Sequence, residues 1–265
     1  MKQFILNSKP DKDGRVRLEG GDYRYLVRVR RLAPGESFPA LLPDGTGVMV
    51  RICSVDNQAV VGEIAPGEIA PSGSASPLPP LFLFQALPKG EKMDLIVRQA
   101  AEGGVAEIVP FVSEFSLMKL TNGSKQKFSR WERIIKEARQ QSGSAIATAI
   151  RQPVSMDGLF AYWEQLKMQY PGGAGAPGGA LGLLFHHLPL AHTGLHGYLD
   201  NSCEVVALAI GPEGGFSSAE AERFLAAGFK PFTIGGTILR TETAALYAQA
   251  AVRVLLWEKD SWETK

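Results

Sequence analysis

Between Val205 and Leu256 the hydrophobic pattern changes its period repeatedly. Val205–Ile210 (VVALAI) is an unbroken apolar run, the signature of a parallel strand buried on both faces. It empties into Gly211, Pro212, Glu213, Gly214 and Gly215, a sharp turn with little side-chain bulk. Ser217 and Glu220 then have capping-box spacing, which predicts a helix start, and Gly228 marks its stop. Phe232–Ile234 predicts a second short strand, and Gly235 and Gly236 a second loop. Thr241 is placed as the N-cap of a long helix with Ala244, Ala245, Ala248, Val252, Leu255 and Leu256 on one face. Two strand–loop–helix units in succession put two glycine loops at the carboxyl ends of neighbouring strands. Open α/β sheets bind their ligands there.

The rest of the chain divides around this pattern. Phe4–Leu6, Val16–Leu18, Val48–Ile52 and Val60–Ile64 are short alternating runs, with Pro43-Asp44-Gly45 as a turn, and they predict a small β-rich domain over residues 1–70. Tyr23–Arg31 reads as a strand or a short helix. A Pro-rich stretch from Ala65 to Pro80 follows, with its linker core at 71–80. Leu81–Leu87 is an apolar strand, and Met93, Ile96, Val97, Ala100 and Ala101 repeat at helical spacing before Gly103-Gly104. Ala106–Val112 closes a βαβ unit and opens the α/β domain assigned to residues 81–265. Ser129 and Glu132 have capping-box spacing, and Phe128, Trp131, Ile134, Ile135 and Ala138 form the buried stripe of the helix they introduce. Its bases then fall mostly on the other face. Pro171–Ala180 (PGGAGAPGGA) is a low-complexity insertion. Leu181–Phe185 is a further buried strand, ending at His186 and His187.

Composition narrows the picture. With 265 residues the chain can bury one large or two modest cores. No apolar run approaches a membrane span, and the N-terminus lacks a signal-peptide core, which predicts no export. Cys53 and Cys203 stand alone, with no zinc-ligand spacing, and suit a reducing cytoplasm. His192 and His196 have no nearby carboxylate cluster, so no metal is predicted, although His186 or His187 could stand near a ligand pocket. The formal net charge is +1, against indiscriminate binding to nucleic acid. Positive charge is local instead. Lys2, Lys9, Lys12, Arg15, Arg17, Arg24, Arg28, Arg30 and Arg31 face only Asp11, Asp13, Glu19 and Asp22 in the first 31 residues. With Tyr23 and Tyr25 among them, they fit either a phosphate-tracking surface or a charged strand edge that blunts pairing.

Four segments, taken together and in order, resemble one family. GPEGGFS (Gly211–Ser217) and ILRTETA (Ile238–Ala244) are similar to the paired C-terminal motifs of the SPOUT methyltransferases. Gln85–Glu114 and Arg130–Ser144 resemble the central block and following helix of the bacterial members that methylate N3 of a uridine in 16S ribosomal RNA. The resemblance runs from about Leu81 to the C-terminus. It implies an α/β fold in which a knotted (trefoil) parallel-sheet methyltransferase domain follows a PUA-like β-barrel. It also implies S-adenosylmethionine as cofactor, 16S rRNA or the small ribosomal subunit as partner, and a homodimer through the C-terminal domain. The N-terminal bases then read as RNA contacts.

The site follows from the same resemblance. Glycine lets backbone amides approach an adenine edge with no Cβ in the way. The cofactor candidates are Leu183, Phe185, Ile210, Gly211, Pro212, Gly214, Gly215, Ile234, Gly235, Gly236, Ile238, Leu239, Thr243 and Ala244. The RNA candidates are Arg15, Arg17, Arg24, Arg28, Arg30, Arg31, Lys89, Arg98 and Arg139. Uracil N3 must lose a proton before it can attack a methyl group, and it lies on the pairing edge, so the base must leave any duplex. Arg240 is the first catalytic candidate, as a cation that orients the uridine or stabilises its developing charge. Glu213 is either a base or a residue that orients Arg240 or the loop. Glu242 is a weaker base candidate beside its reading as a first-turn charge on the helix dipole. Gly236-Thr237 stands where the family often has Pro-Arg. That departure keeps a non-catalytic RNA-binding assembly factor as a rival, next to a SPOUT enzyme acting on a tRNA ribose. A nucleotide-binding oxidoreductase is disfavoured, since no GxGxxG opens a helix after the first strand.

Overall fold

The computed structural model describes residues 4–6, 9–64, 78–116, 124–172, 178–186, 194–199, 203–233 and 236–262; the side chains of 124–125 and 259–262 lie outside this description. The chain divides into two compact units, Met1–Ala75 with Arg139–Ala147, and Ser76–Ala138 with Thr148–Lys265.

The first unit is built on one five-stranded sheet. Its strands are β1 (Phe4–Ile5), β2 (Arg15–Glu19), β3 (Ser37–Leu41), β4 (Gly47–Val55) and β5 (Ala59–Ile64), in the order β1-β3-β4-β5-β2. Only β1 and β3 run parallel. Alternation sets one face inward: Val16 and Leu18, then Val48, Val50 and Ile52, pack with Phe4 and Phe38. The undecided stretch is helical. A short helix, α1 (Gly20–Arg24), runs into a π-helical turn at Tyr25–Val29, with Leu26 buried beneath. Leu26 and the half-buried Val27 pack on the sheet from this helical cover.

The second unit contains a parallel sheet covered on both faces. Its strands are β6 (Leu81–Ala86), β7 (Glu107–Val112), β8 (Ala149–Ile150), β9 (Val154–Ser155), β10 (Ala180–Phe185), β11 (Val205–Ile210) and β12 (Lys230–Phe232). The order is β12-β10-β11-β6-β7-β8, with β9 also on β7. Every pairing is parallel. Among the described residues the further helices are α2 (Lys92–Glu102), α3 (Ser124–Ser142), α4 (Met156–Gln169), α5 (Leu195–Leu199), α6 (Ser218–Ala226) and α7 (Thr241–Trp262).

The continuous apolar runs are explained by the two layers. In β11, Val206, Leu208 and Ile210 join a core with Ile96, Trp131, Ala245 and Val252, whereas Val205, Ala207 and Ala209 join Leu159, Trp163 and Phe224 on the opposite face. In β6, Leu81 and Leu83 divide from Phe82 and Phe84 in the same way. A strand with helices on both faces has no polar side to show.

Helix ends carry the local chemistry. Ser217 caps α6 through the reciprocal box with Glu220. The predicted box at Ser129–Glu132 is overturned, because α3 begins a full turn earlier at Ser124 and both residues are interior. Its stripe is as expected, with Trp131, Ile134, Ile135 and Ala138 buried. Arg139, expected as an RNA contact, is the exception to bases that fall mostly on the other face, as only 5% of it is exposed. The second short strand also shifts, from Phe232–Ile234 to Lys230–Phe232, held by parallel pairing of Leu183–Phe185. Ile234, Gly235, His187, His192, residues 65–77 of the linker stretch and 173–177 of the glycine-rich insertion fall outside the described residues.

Candidate active site

Strands β10, β11 and β12 stop at the same level, and their carboxyl ends open into a cavity of about 200 Å³. Phe185 and His186 come from β10 and its end, and Ile210 from β11. The loop after β11 supplies Gly211 to Phe216. Thr233 follows β12, and Thr237, Ile238, Leu239, Thr241 and Ala244 complete the wall from the approach to α7 and its first turn.

The first loop needs its glycines for two different reasons. Gly215 has φ of +71°, in the left-handed region that side-chain-bearing residues rarely enter. A Cβ on Gly211 would lie 3.1 Å from the carbonyl carbon of Gly215, so the turn folds back tightly on itself. Phe216 then anchors the loop by stacking on Phe111, with ring centroids 6.3 Å apart. The Glu220 carboxylate secures the loop's far end, accepting from the Glu114 and Ser217 backbone amides.

Thr241 joins the two loops. Its hydroxyl donates to the Gly211 carbonyl at 2.6 Å and accepts from Gln85 Nε2 at 3.1 Å. Both side chains are buried, so these bonds are made away from competing water. Thr241 thus ties the start of α7 to the ends of β11 and β6. Thr241 is the first residue of α7, and its hydroxyl serves this tie rather than the expected N-cap.

Glu213 is held by the start of α2. Lys92 Nζ stands 2.8 Å from its Oε1, and the Lys89 amide donates to both oxygens. Burial pushes the Glu213 carboxyl up. The Lys92 hydrogen bond, with the Glu213 and Lys89 backbone amides, outweighs it and leaves the group below the usual carboxylate range. The same hydrogen bond, donated to Glu213, raises the Lys92 ammonium. Both are therefore charged at neutral pH, and a carboxylate so stabilised is a weak proton acceptor.

A model of the RNA methyltransferase domain matches residues 74–253, which include every strand and loop of this cavity. The chain belongs to the RNA methyltransferase domain family. Family relatives include the ribosomal RNA small subunit methyltransferase E of a Synechocystis strain, 32% identical over 91% of this chain and 73% of its own length. The enzyme of that name from Aquifex aeolicus is 29% identical, over 91% and 95%. Among solved structures, the methyltransferase E of Neisseria gonorrhoeae bound to S-adenosyl methionine has a TM-score of 0.76 at 25% identity, covering 96% of this chain and 98% of that one. A putative methyltransferase from Legionella pneumophila, in complex with its cofactor SAM, has a TM-score of 0.75 at 28% identity, covering 96% and 97%.

Within this family domain the expected site residues separate into groups. Phe185, Ile210, Gly211, Pro212, Glu213, Gly214, Gly215, Ile238, Leu239 and Ala244 line the cavity. Leu183, Gly236 and Thr243 do not: Leu183 faces the core packed under α2 and α7. A side chain in mid-strand points into a layer, and only the strand's last residue reaches the rim. Arg240 is exposed and stands outside the cavity lining, between Leu239 and Thr241. His186, weighed as a pocket neighbour, does line it, and 6% of it is exposed.

Phe216, Thr233, Thr237 and Thr241 are additional wall residues. Phe216 was within reach of sequence reasoning, since it lies inside GPEGGFS. Thr241 likewise lies inside ILRTETA, and Thr237 belongs to the Gly236-Thr237 pair already singled out; Thr233 carries no such signal. Of the expected RNA contacts, Arg15, Arg17, Arg24, Arg28, Arg31, Lys89 and Arg98 are exposed, Arg30 is half-buried and Arg139 is buried. Arg17 already pairs with Glu19 at 2.5 Å. Among the described residues no group of three His, Cys, Asp or Glu side chains could hold a metal ion. None of the described helices is long and apolar enough to cross a membrane.

Proposed function

We propose that the protein transfers a methyl group from S-adenosylmethionine to N3 of a uridine in 16S ribosomal RNA. The carrying observation is the cavity at the carboxyl ends of β10, β11 and β12, inside a domain whose solved relatives hold this cofactor. Its residues suit the ligand. Phe185, Ile210, Pro212, Leu239 and Ala244 offer apolar walls to an adenine ring, and the backbone of Gly211–Gly215 offers polar groups to its edge. Thr233 and Thr237 add hydroxyls for polar substituents. When bound, the cofactor supplies an electrophilic methyl on a sulfonium sulfur.

The chain's own residues prepare the acceptor. Arg240, outside the wall yet next to it, stabilises the negative charge that uridine develops as the N3 proton leaves. Glu213 is committed to Lys92 and the Lys89 amide, which favours an orienting role over that of a base. Arg15, Arg24, Arg28 and Arg31 on the first unit, with Lys89 and Arg98, bind RNA phosphates. In this reading the first unit is a PUA-like barrel, and the carboxyl-terminal part of the second is threaded as a trefoil knot. The protein acts in the cytoplasm as a homodimer through the second unit. Leu246, Tyr247, Val254 and Trp257, all exposed at helical spacing on α7, support that interface.

The test is a transfer reaction with labelled S-adenosylmethionine and unmethylated small ribosomal subunits, followed by nucleoside mass spectrometry. Labelled 3-methyluridine is expected. Label in a ribose methyl would retain the family and replace the acceptor. Absence of both label and cofactor binding would overturn the reading.

A further inference from the structure

A cation at the first position of a helix opposes the helix dipole, yet Lys92 opens α2. Its surroundings account for it. The ammonium is 2.8 Å from Glu213 Oε1 and 3.6 Å from Glu242 Oε2. These acids come from the two walls of the cavity: Glu213 from the loop after β11, Glu242 from between Thr241 and Ala244 in the first turn of α7. Glu242 Oε2 is buried and accepts no hydrogen bond among the described residues, so Lys92 is the cation that faces it. Two carboxylates converge here on one ammonium. Without that cation they repel each other across a partly desolvated gap.

We infer that Lys92 is a positioning residue for the cofactor pocket: its ammonium, shared by Glu213 and Glu242, couples the 211–215 loop to the start of α7 so that both walls hold one spacing. The inference rests on the methyltransferase reading for its consequence in catalysis, but the coupling itself is a property of the unliganded chain. Thr241 already bonds to Gly211, and Lys92 adds a second, electrostatic tie from an element that contributes nothing to the wall itself.

The experiment compares full-length wild type with Lys92→Met, Lys92→Arg, Glu242→Gln and the double variant K92M/E242Q. Amide hydrogen exchange is followed without ligand, and S-adenosylmethionine binding by calorimetry. Lys92→Met is expected to speed exchange in residues 211–216 and 240–245 together, and to weaken cofactor affinity by about tenfold, the scale of a modest coupling between neighbouring groups. In turnover, the KM for cofactor rises while kcat holds. Adding Glu242→Gln removes the like-charge repulsion and restores part of the loss, and Lys92→Arg restores part by keeping the cation.

The proposal is overturned by wild-type exchange and affinity in Lys92→Met. Loosening of only one segment in Lys92→Met, or a Glu242→Gln loss that simply adds to that of Lys92→Met, overturns it equally. If Lys92→Met unfolds, Glu242→Gln alone decides: residues 240–245 must loosen while 211–216 stay protected, and no change in either refutes the coupling. A wild-type protein that binds no S-adenosylmethionine would refute the functional reading, and the exchange data would still decide the role of Lys92.

Discussion

Two charged clusters sit on the same parallel sheet and differ in what surrounds them. Near the amino-terminal end of β7, Glu107 pairs with Arg151 and accepts the Tyr162 hydroxyl at 2.7 Å. The Arg151 guanidinium lies 4.0 Å above the Tyr162 ring. Burial, reinforced by the hydrogen bond to Glu107, pushes the Tyr162 phenol well above its ordinary value. One acid, one base and one phenol satisfy each other, with Phe82 and Phe84 alongside. At the carboxyl ends, Lys92 faces two acids, one of which forms part of a cavity wall. A closed polar cluster fastens helix to sheet. The incompletely matched one stands beside a cavity and ties its two walls, and a parallel sheet offers such cavities at its carboxyl ends, where loops diverge.

The sharpest way to break this contrast is Arg240→Ala. Removing a preorganised cation from the reaction should lower kcat by about 10²–10³-fold. Affinity for S-adenosylmethionine stays as in wild type, because Arg240 does not line the cavity. Turnover and calorimetry on one preparation check both halves, and wild-type turnover would remove Arg240 from the mechanism.

Thr241→Val comes next. It keeps the shape but leaves the Gly211 carbonyl and the buried Gln85 amide without their shared partner. The expected loss is about 1–3 kcal/mol of stability, together with weaker cofactor binding. Urea unfolding and calorimetry measure these, and a loss of stability with unchanged binding would place Thr241 in the scaffold alone.

Tyr162→Phe probes the closed cluster. Deleting its hydroxyl should cost about 1 kcal/mol in urea unfolding and leave methyl transfer unchanged. A fall in kcat would show that the amino-terminal cluster is coupled to the cavity and would erase the contrast.

The smallest expected effect is a pH dependence. Glu213 is held below its ordinary value in the folded protein, so its contribution to stability is present above the unfolded pKa of about 4.3 and is lost as pH falls through the folded value. Glu213→Gln should therefore unfold less steeply than wild type below about pH 4. With the Glu213 side chain 29% exposed, solvent screening keeps the difference well under that of a buried pair. Urea midpoints at pH 7 and pH 3.5 compare the two proteins. Equal slopes would mean that the Lys92 pair contributes nothing in solution.

Much of the molecule is legible in the residue pattern. Strands β6, β7, β10 and β11 stand out as apolar runs because both faces are covered, and the Ser217–Glu220 box and Gly228 bracket α6 because caps are local chemistry. The buried stripe of α7 follows from its period. What misleads are signals of the same local kind. Ser129–Glu132 has the spacing of a cap yet lies inside α3, which already runs from Ser124. Leu183 and Ile210 are both apolar strand residues, and only the place where each strand ends decides that Ile210 reaches the rim while Leu183 stays in the core.

By itself the sequence determined the periodicity, the turns and the two motif-bearing loops, because these depend on residues a few positions apart. The tertiary structure alone decided that Thr241 closes on Gly211 and Gln85, that Lys92 stands between Glu213 and Glu242, and that Arg139 is buried. Those relations join residues separated by long stretches of chain, and their distances are set by strand order and packing, which no local spacing encodes.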